Sequence, residues 1–307
     1  MADSLATVTA PPTVEVIYDE ALAFMERLHQ AVTAGQPIPA AEVLHIADRL
    51  LEATQTHQPK LVGLTVRSSF PQFLFGHSVN TSILAMVIAK ALQYAETVVR
   101  DVGAAALLHD LGLTKAVNGA EPRTVKYHDM RGHAYECLAL LGDIPEFTQL
   151  IVYLDSLEPR ASETATTTSP PRELTVAERE LSKVVRLADL YEALTHPRAD
   201  RPTVLAFPAV RTILKTQHLF EPRLVKALFD QVGIYPLNTW VRLNTGEMGR
   251  VTAIHKGLPL RPQVAIHYDR AGGRLPEERS VDLAQHPLYF VKESLAEEPL
   301  PRRMRAA

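Results

Sequence analysis

Ala104-Ala105-Ala106-Leu107-Leu108-His109-Asp110-Leu111-Gly112 is the stretch on which the reading of the whole chain turns. Small and branched apolar residues build the end of a buried helix, two ligand-type side chains follow together, and Gly112 can end the helix. An ionised Asp beside a His loses its water on burial, and a bound divalent cation is the usual compensation. The same dipeptide at a helix end half in solvent needs no ion. His109-Asp110 is therefore a candidate metal site, decided by what else the chain brings to it.

The chain has 307 residues, 46% of them hydrophobic, enough for a substantial core and more than one structural unit. Its formal net charge is -3 with Lys and Arg spread along the chain, so the basic field of a nucleic-acid-polymer binder is missing. Arg302-Arg303-Met304-Arg305 reads as a solubilising end. There is no run of about 18 consecutive apolar residues, and Met1-Ala2-Asp3-Ser4-Leu5 is acidic and polar where a secretion signal is basic and then apolar. The expectation is a soluble cytoplasmic protein with no membrane partner. Cys137 is the only cysteine, which excludes an internal disulfide and a multi-cysteine zinc or iron–sulfur site. Any metal must be held by His and carboxylate.

Periodicity predicts a mainly α chain that ends in a small antiparallel β unit. Residues 1–60 read as a flexible leader and a helical hairpin, with helices over 14–34 and 40–56. His29, His45 and His57 lie there without a carboxylate constellation and are expected at the surface or half-buried. Residues 61–232 read as the central helical unit. Pro71 opens a long helix in which His77 faces inward with Leu84 and Ile88; the next, over 98–111, ends in the His-Asp pair. Helices over 124–141 and 144–154 follow, then a loop at 155–173 with almost no large apolar side chains. The helix over 174–195 opens with Thr175 and Glu178 spaced as a capping box. Asp189 stands on its apolar face with Val185 and Ala193 and needs a partner, which a salt bridge to an Arg would also supply. Two more helices are predicted at 208–216 and 222–232. From Gly233 the texture changes to period-two segments at 239–243, 248–254, 263–268 and 279–283, with turns at 244–247 and 271–274. Residues 233–294 are thus a small β domain with no catalytic constellation, and 295–307 a flexible tail.

Three helices of the central unit each bring an unusual residue to an apolar face: His77, His109-Asp110 and Asp189. Two imidazoles and two carboxylates can hold one divalent ion with positions open to water and substrate. The order His, then His-Asp, then Asp on successive helices resembles the HD superfamily of metal-dependent phosphohydrolases. Phe75-Gly76-His77-Ser78-Val79-Asn80, Ala106-Leu107-Leu108-His109-Asp110-Leu111-Gly112 and Arg186-Leu187-Ala188-Asp189-Leu190-Tyr191-Glu192-Ala193-Leu194-Thr195 resemble its HD-GYP family, whose members hydrolyse cyclic di-GMP. The segment Gly233-Ile234-Tyr235-Pro236 and the run Val241-Arg242-Leu243-Asn244-Thr245-Gly246-Glu247 also look like what often trails this domain in bacterial proteins.

The resemblance implies an HD-domain helical bundle, a bacterial origin and cyclic-dinucleotide signalling. It implies metal ligands at His77, His109, Asp110, His128 and Asp189, with Asp110 able to bridge two ions. It implies a catalytic role for Asp110, and for Arg198 and Arg201, which match phosphate-contacting residues; a guanidinium fork can bind two oxygens. The cofactor implied is a divalent metal: Fe, Mn, Mg or Zn. The partners implied are a cyclic dinucleotide or another nucleotide phosphodiester, with protein partners in signalling and a homodimer as further expectations. The chain departs from the family pattern at Leu113, where a lysine is usual, and at Phe73, where a glutamate is usual. Leu154-Asp155-Ser156 stand where paired histidines are expected, and the Gly-Tyr-Pro signature is absent. Three functions follow: a cyclic-dinucleotide phosphodiesterase with a reduced metal site, an inactive signalling and interaction module of the same lineage, or a phosphohydrolase of a different nucleotide using a mononuclear site.

Overall fold

Apolar residues at three- and four-residue spacing fold α1 (Val14–Thr33) and α2 (Ala40–Thr56), and their buried stripes, Ile17, Ala21, Phe24 and Leu28 with Val43, Ala47 and Leu50, enter one core. The structure, a computed structural model, describes residues 12–65, 73–116, 133–154, 174–195, 206–216, 219–295 and 298–299. Pro71, His128, Asp155, Arg198, Arg201 and the 155–173 segment lie outside these residues. After the short α3 (Gln58–Leu64) come α4 (Phe73–Ala91), α5 (Glu96–Leu108), α6 (Leu113–Ala116) and α7 (His133–Leu141). A 3-10 turn at Pro145–Phe147 leads into α8 (Thr148–Leu154), followed by α9 (Val176–Thr195), α10 (Ala206–Lys215) and α11 (Pro222–Val232). The expected capping box opens α9: Glu178 N donates to Thr175 Oγ1 at 3.2 Å and Thr175 N to Glu178 Oε2 at 2.8 Å.

Helix α4 is the axis of this body. It packs against α1, α2, α5, α9 and α11, and every residue from Gly76 to Ala89 is buried. Its stretch Leu74–Ala91 has the length and mean hydropathy, 1.2, of a membrane-crossing helix, yet 72% of it is buried inside the protein. The polar residues His77, Ser78, Asn80, Thr81 and Ser82 interrupt that stretch, so no unbroken apolar run marks it in the sequence. Gly103 lets α5 lie close along α4: a Cβ there would sit 1.9 Å from Met86 Cε and 2.7 Å from Met86 Cγ. Ser82 Oγ ties the same point by donating to Gly103 O at 2.8 Å. This close approach carries His109 toward His77.

The C-terminal region forms β1 (Trp240–Leu243), β2 (Met248–Ala253), β3 (Gln263–Tyr268), β4 (Arg274–Asp282) and β5 (Val291–Leu295). They make one antiparallel sheet in the order β4-β3-β2-β1-β5, with Val241, Leu243, Val251, Val264, Ile266, Val281 and Leu283 in its core. Gly249 marks an irregularity of register between β2 and β3, where a Cβ would lie 2.1 Å from the Ala265 carbonyl oxygen. Ile234 packs against both the helical core and the sheet core.

Sequence and structure differ at several points. Helix α5 ends at Leu108, and His109–Gly112 form a turn in place of the helix's last residues. Strand β5 has no counterpart in the period-two reading, because Lys292, Glu293 and the half-exposed residues after them hide the alternation of an edge strand. Strand β4 begins at Arg274 although residues 276–280 are exposed and include Pro276, which an edge strand tolerates. We expect Gly103→Val to destabilise the fold by about 1–3 kcal/mol through overpacking. Chemical denaturation reads this, and unchanged stability would mean that the α4–α5 seam has room for a branched side chain.

Candidate metal centre

His77 sits in the second turn of α4, His109 follows the last residue of α5, Asp110 lies in the turn after it, and Asp189 is carried by α9. The turn is tight: Leu111 N donates to Leu108 O at 2.9 Å and Leu113 N to Asp110 O at 2.9 Å. It holds two adjacent polar side chains against α4 between the end of α5 and the start of α6. His77, His109 and Asp110 are 1%, 3% and 5% exposed. The Asp189 side chain is 37% exposed, so it forms the open side of the cluster.

The protons on both rings are assigned by their neighbours. His109 Nδ1 lies 2.8 Å from Ala106 O, a carbonyl that can only accept, so Nδ1 carries the proton. His77 Nδ1 meets the Glu192 carboxylate, which likewise accepts. The two Nε2 atoms face each other at 3.2 Å, and each offers a lone pair to a cation once its own proton is displaced. Around them stand more acceptors. His77 Nε2 is 3.3 Å from Asp110 Oδ2 and 3.2 Å from Asp189 Oδ1; His109 Nε2 is 3.4 Å from Asp110 Oδ1 and 3.8 Å from Asp189 Oδ1.

Acceptors packed this closely in an apolar interior repel unless positive charge lies among them. Burial alone would lower the pKa of both imidazoles, yet Glu192, Asp110 and Asp189 hold His77 well above its ordinary value, and Asp110 and Asp189 raise His109. Burial would raise the Asp189 pKa, but His109 and His77 hold it below the usual carboxylate range. The same field that favours a proton favours a cation. A divalent metal fits: ligand atoms about 2.1 Å from a centre lie about 3.0–3.4 Å from one another in octahedral or tetrahedral arrangement, and the donor atoms of His77, His109 and Asp110 all lie within 4.8 Å of one another.

Glu192, absent from the candidates read in the sequence, completes this arrangement. It is 1% exposed, three residues beyond Asp189 on α9, and it orients His77 from behind. Its signal was a carboxylate on the helix turn after Asp189, between the buried Tyr191 and Leu194. His45 and His57 are exposed as expected, but His29 is buried, at 5% exposure. Its Nδ1 lies 2.6 Å from Thr114 Oγ1, and its Nε2 has no partner among the described residues. Burial pushes the His29 imidazole down to about 4 against the opposing charge of Asp110. Cys137 donates to Leu108 O at 3.0 Å, and burial pushes its thiol up to about 12, so it is an inert core residue. The five residues carried over as ligands thus divide: His77, His109, Asp110 and Asp189 converge, while His128, like Arg198 and Arg201, lies outside the described residues.

A helical body in which α4, the turn after α5, and α9 bring His, His-Asp and Asp together resembles the arrangement of an HD domain. Residues 74–194 match the HD domain family, and residues 240–302 match the family described as KOW domain associated with HD domain. These matches support an HD-GYP-like reading within the HD superfamily. The chain is 26% identical over 260 residues to the cyclic di-GMP phosphodiesterase PA4108 of Pseudomonas aeruginosa, an alignment covering 82% of this chain and 61% of that protein. This chain therefore spans less than two thirds of that relative's length. No solved structure matches the chain.

Two outcomes follow from the geometry. Glu192→Gln keeps the shape of the contact to His77 and removes its charge, so Mn²⁺ affinity should fall about tenfold or more; an unchanged affinity in equilibrium dialysis would mean the carboxylate does not act through His77. For His29, the folded pKa of about 4 lies below the unfolded 6.5. The unfolded chain takes up a proton that the folded one refuses, so this contribution is full above pH 6.5 and is lost as pH falls toward 4, by about 3 kcal/mol at most. Urea unfolding across that range should show a shallower loss of stability for His29→Gln than for the natural chain, and parallel curves would contradict the assignment.

Proposed function

We propose that this protein is a metal-dependent phosphodiesterase of the HD superfamily acting on a cyclic dinucleotide, cyclic di-GMP foremost. The observation that carries the reading is the pair of imidazole Nε2 atoms facing each other among the carboxylates of Asp110 and Asp189. The 26% identity to a cyclic di-GMP phosphodiesterase supports the substrate class. His77, His109, Asp110 and Asp189 would hold the ion, with His128 as a further ligand in this reading. A divalent ion supplies Lewis acidity and a more acidic water for attack at phosphorus.

The chain's own residues do the rest. Glu192 and the Ala106 carbonyl keep both Nε2 atoms turned forward, and the apolar residues of α4 and α5 exclude bulk water from the closed side. Asp189, on the exposed side, lies where a substrate phosphate would enter. Arg198 and Arg201, which follow α9 in the chain, are assigned to neutralising charge on the phosphate oxygens. The division into a helical hairpin over 1–60, an HD body over 61–232 and a β domain over 233–294 belongs to the same proposal, as do a cytoplasmic location and protein partners in signalling.

A second reading is favoured by Phe73, Leu113 and Leu154, apolar residues at family positions that usually carry polar groups: metal binding without turnover, in a signalling or interaction module. A single ion lacks the second one that stabilises the leaving oxygen in two-metal sites. Metal analysis with hydrolysis of cyclic di-GMP in Mn²⁺ or Fe²⁺ separates the readings. Turnover that falls by at least a hundredfold in Asp110→Ala is the expected result on the scale of lost metal catalysis. Bound metal with no turnover against a panel of cyclic dinucleotides would select the module.

A further inference from the structure

Helix α1 lies outside the segment that matches the HD domain, yet it reaches the back of the candidate metal centre. Tyr18 is 3% exposed, and its Oη donates to Asn80 Oδ1 at 2.8 Å. Asn80, 1% exposed, donates through Nδ2 to Glu192 Oε1 at 3.1 Å. The other Glu192 oxygen receives the Nδ1 proton of His77. Each direction is forced. A carboxylate only accepts, so the amide must turn its NH₂ toward Glu192 and its carbonyl toward Tyr18, and the phenol must then donate.

The pieces repeat with helical spacing. Asn80 is three residues beyond His77 on α4, and Glu192 three beyond Asp189 on α9, so an inner polar pair and an outer one sit on consecutive turns of the two helices. Helix α1 closes the outer pair. Eleven residues further along, on nearly the same face of α1, His29 meets Thr114, four residues after Asp110. One face of one helix thus touches both halves of the site.

We propose that α1 is part of the metal centre, with Tyr18 a positioning residue that fixes His77 through Asn80 and Glu192; this rests on the metal-site reading above. Removing the phenol takes away the donor that fixes the Asn80 carbonyl and so loosens the amide that donates to Glu192, and the His77 ring loses definition at Nε2. A shift of α1 reaches the site through three hydrogen bonds.

The test is Mn²⁺ titration of the full chain followed by electron paramagnetic resonance, which reports binding apart from turnover. Tyr18→Phe should weaken Mn²⁺ binding about 3- to 10-fold, less than loss of a direct partner of a ligand. Asn80→Ser, which breaks the next link, is measured alongside with the same expectation and serves if Tyr18→Phe does not fold. In an Asn80→Ala background Tyr18→Phe should add nothing. Phe24→Leu, a change in the same helix's core away from the hydrogen bonds, should leave Mn²⁺ affinity as it is. Natural affinity in Tyr18→Phe, an equal loss in Phe24→Leu, or an undiminished effect in the Asn80→Ala background would overturn the proposal. If the natural chain binds no Mn²⁺, the metal reading fails and this inference with it. If it binds Mn²⁺ and Asp110→Ala abolishes binding while Tyr18→Phe does nothing, only the inference fails.

Discussion

Two imidazole nitrogens turned toward each other, 3.2 Å apart among carboxylates and walled in by apolar helices, repel unless positive charge lies between them, and on this constraint the rest of the structure depends. Water cannot relieve the repulsion at 1% and 3% exposure. Positive charge can, and two carboxylates stand ready to fix it there. The arrangement survives folding because each ring is anchored from behind by an acceptor, Glu192 for His77 and the Ala106 carbonyl for His109. Remove either anchor and the ring can turn its N–H inward, which would leave an ordinary hydrogen-bonded pair in a core.

Close helix packing serves this constraint. Gly103 lets α5 approach α4, and the turn after Leu108 then swings His109 and Asp110 against His77. Helix α9 brings Asp189 and Glu192 one turn apart, so one carboxylate lies in the cluster and the other behind it. Among the described residues the β sheet contributes none of these groups. It joins the helical body at Ile234, which shares both cores.

How far the sequence could be read follows from what each residue does locally. His77, His109, Asp110 and Asp189 were legible because each places a costly polar group on an otherwise apolar helical face, and such misfits stand out in periodicity. Glu192 was harder to see, since a glutamate on a helix suggests a solvated face until its neighbours Tyr191 and Leu194 are known to be buried. Tyr18 and Asn80 left no signal, because an uncharged hydrogen bond across 62 positions depends on tertiary packing alone. His29, expected at the surface or half-buried, proves fully buried for a similar reason: its partner, Thr114, is 85 positions away. Strands β1, β2 and β3 announced themselves by alternation and β4 only over its last residues, whereas β5, with charged residues at an edge, did not.

Anomalous diffraction from crystals of the full chain grown with Mn²⁺ or Fe²⁺ tests the central claim most directly. The expected result is a peak bonded to Nε2 of both His77 and His109 and to oxygens of Asp110 and Asp189, at about 2.0–2.2 Å. A peak elsewhere, or the two Nε2 atoms turned apart with no metal between them, would contradict it.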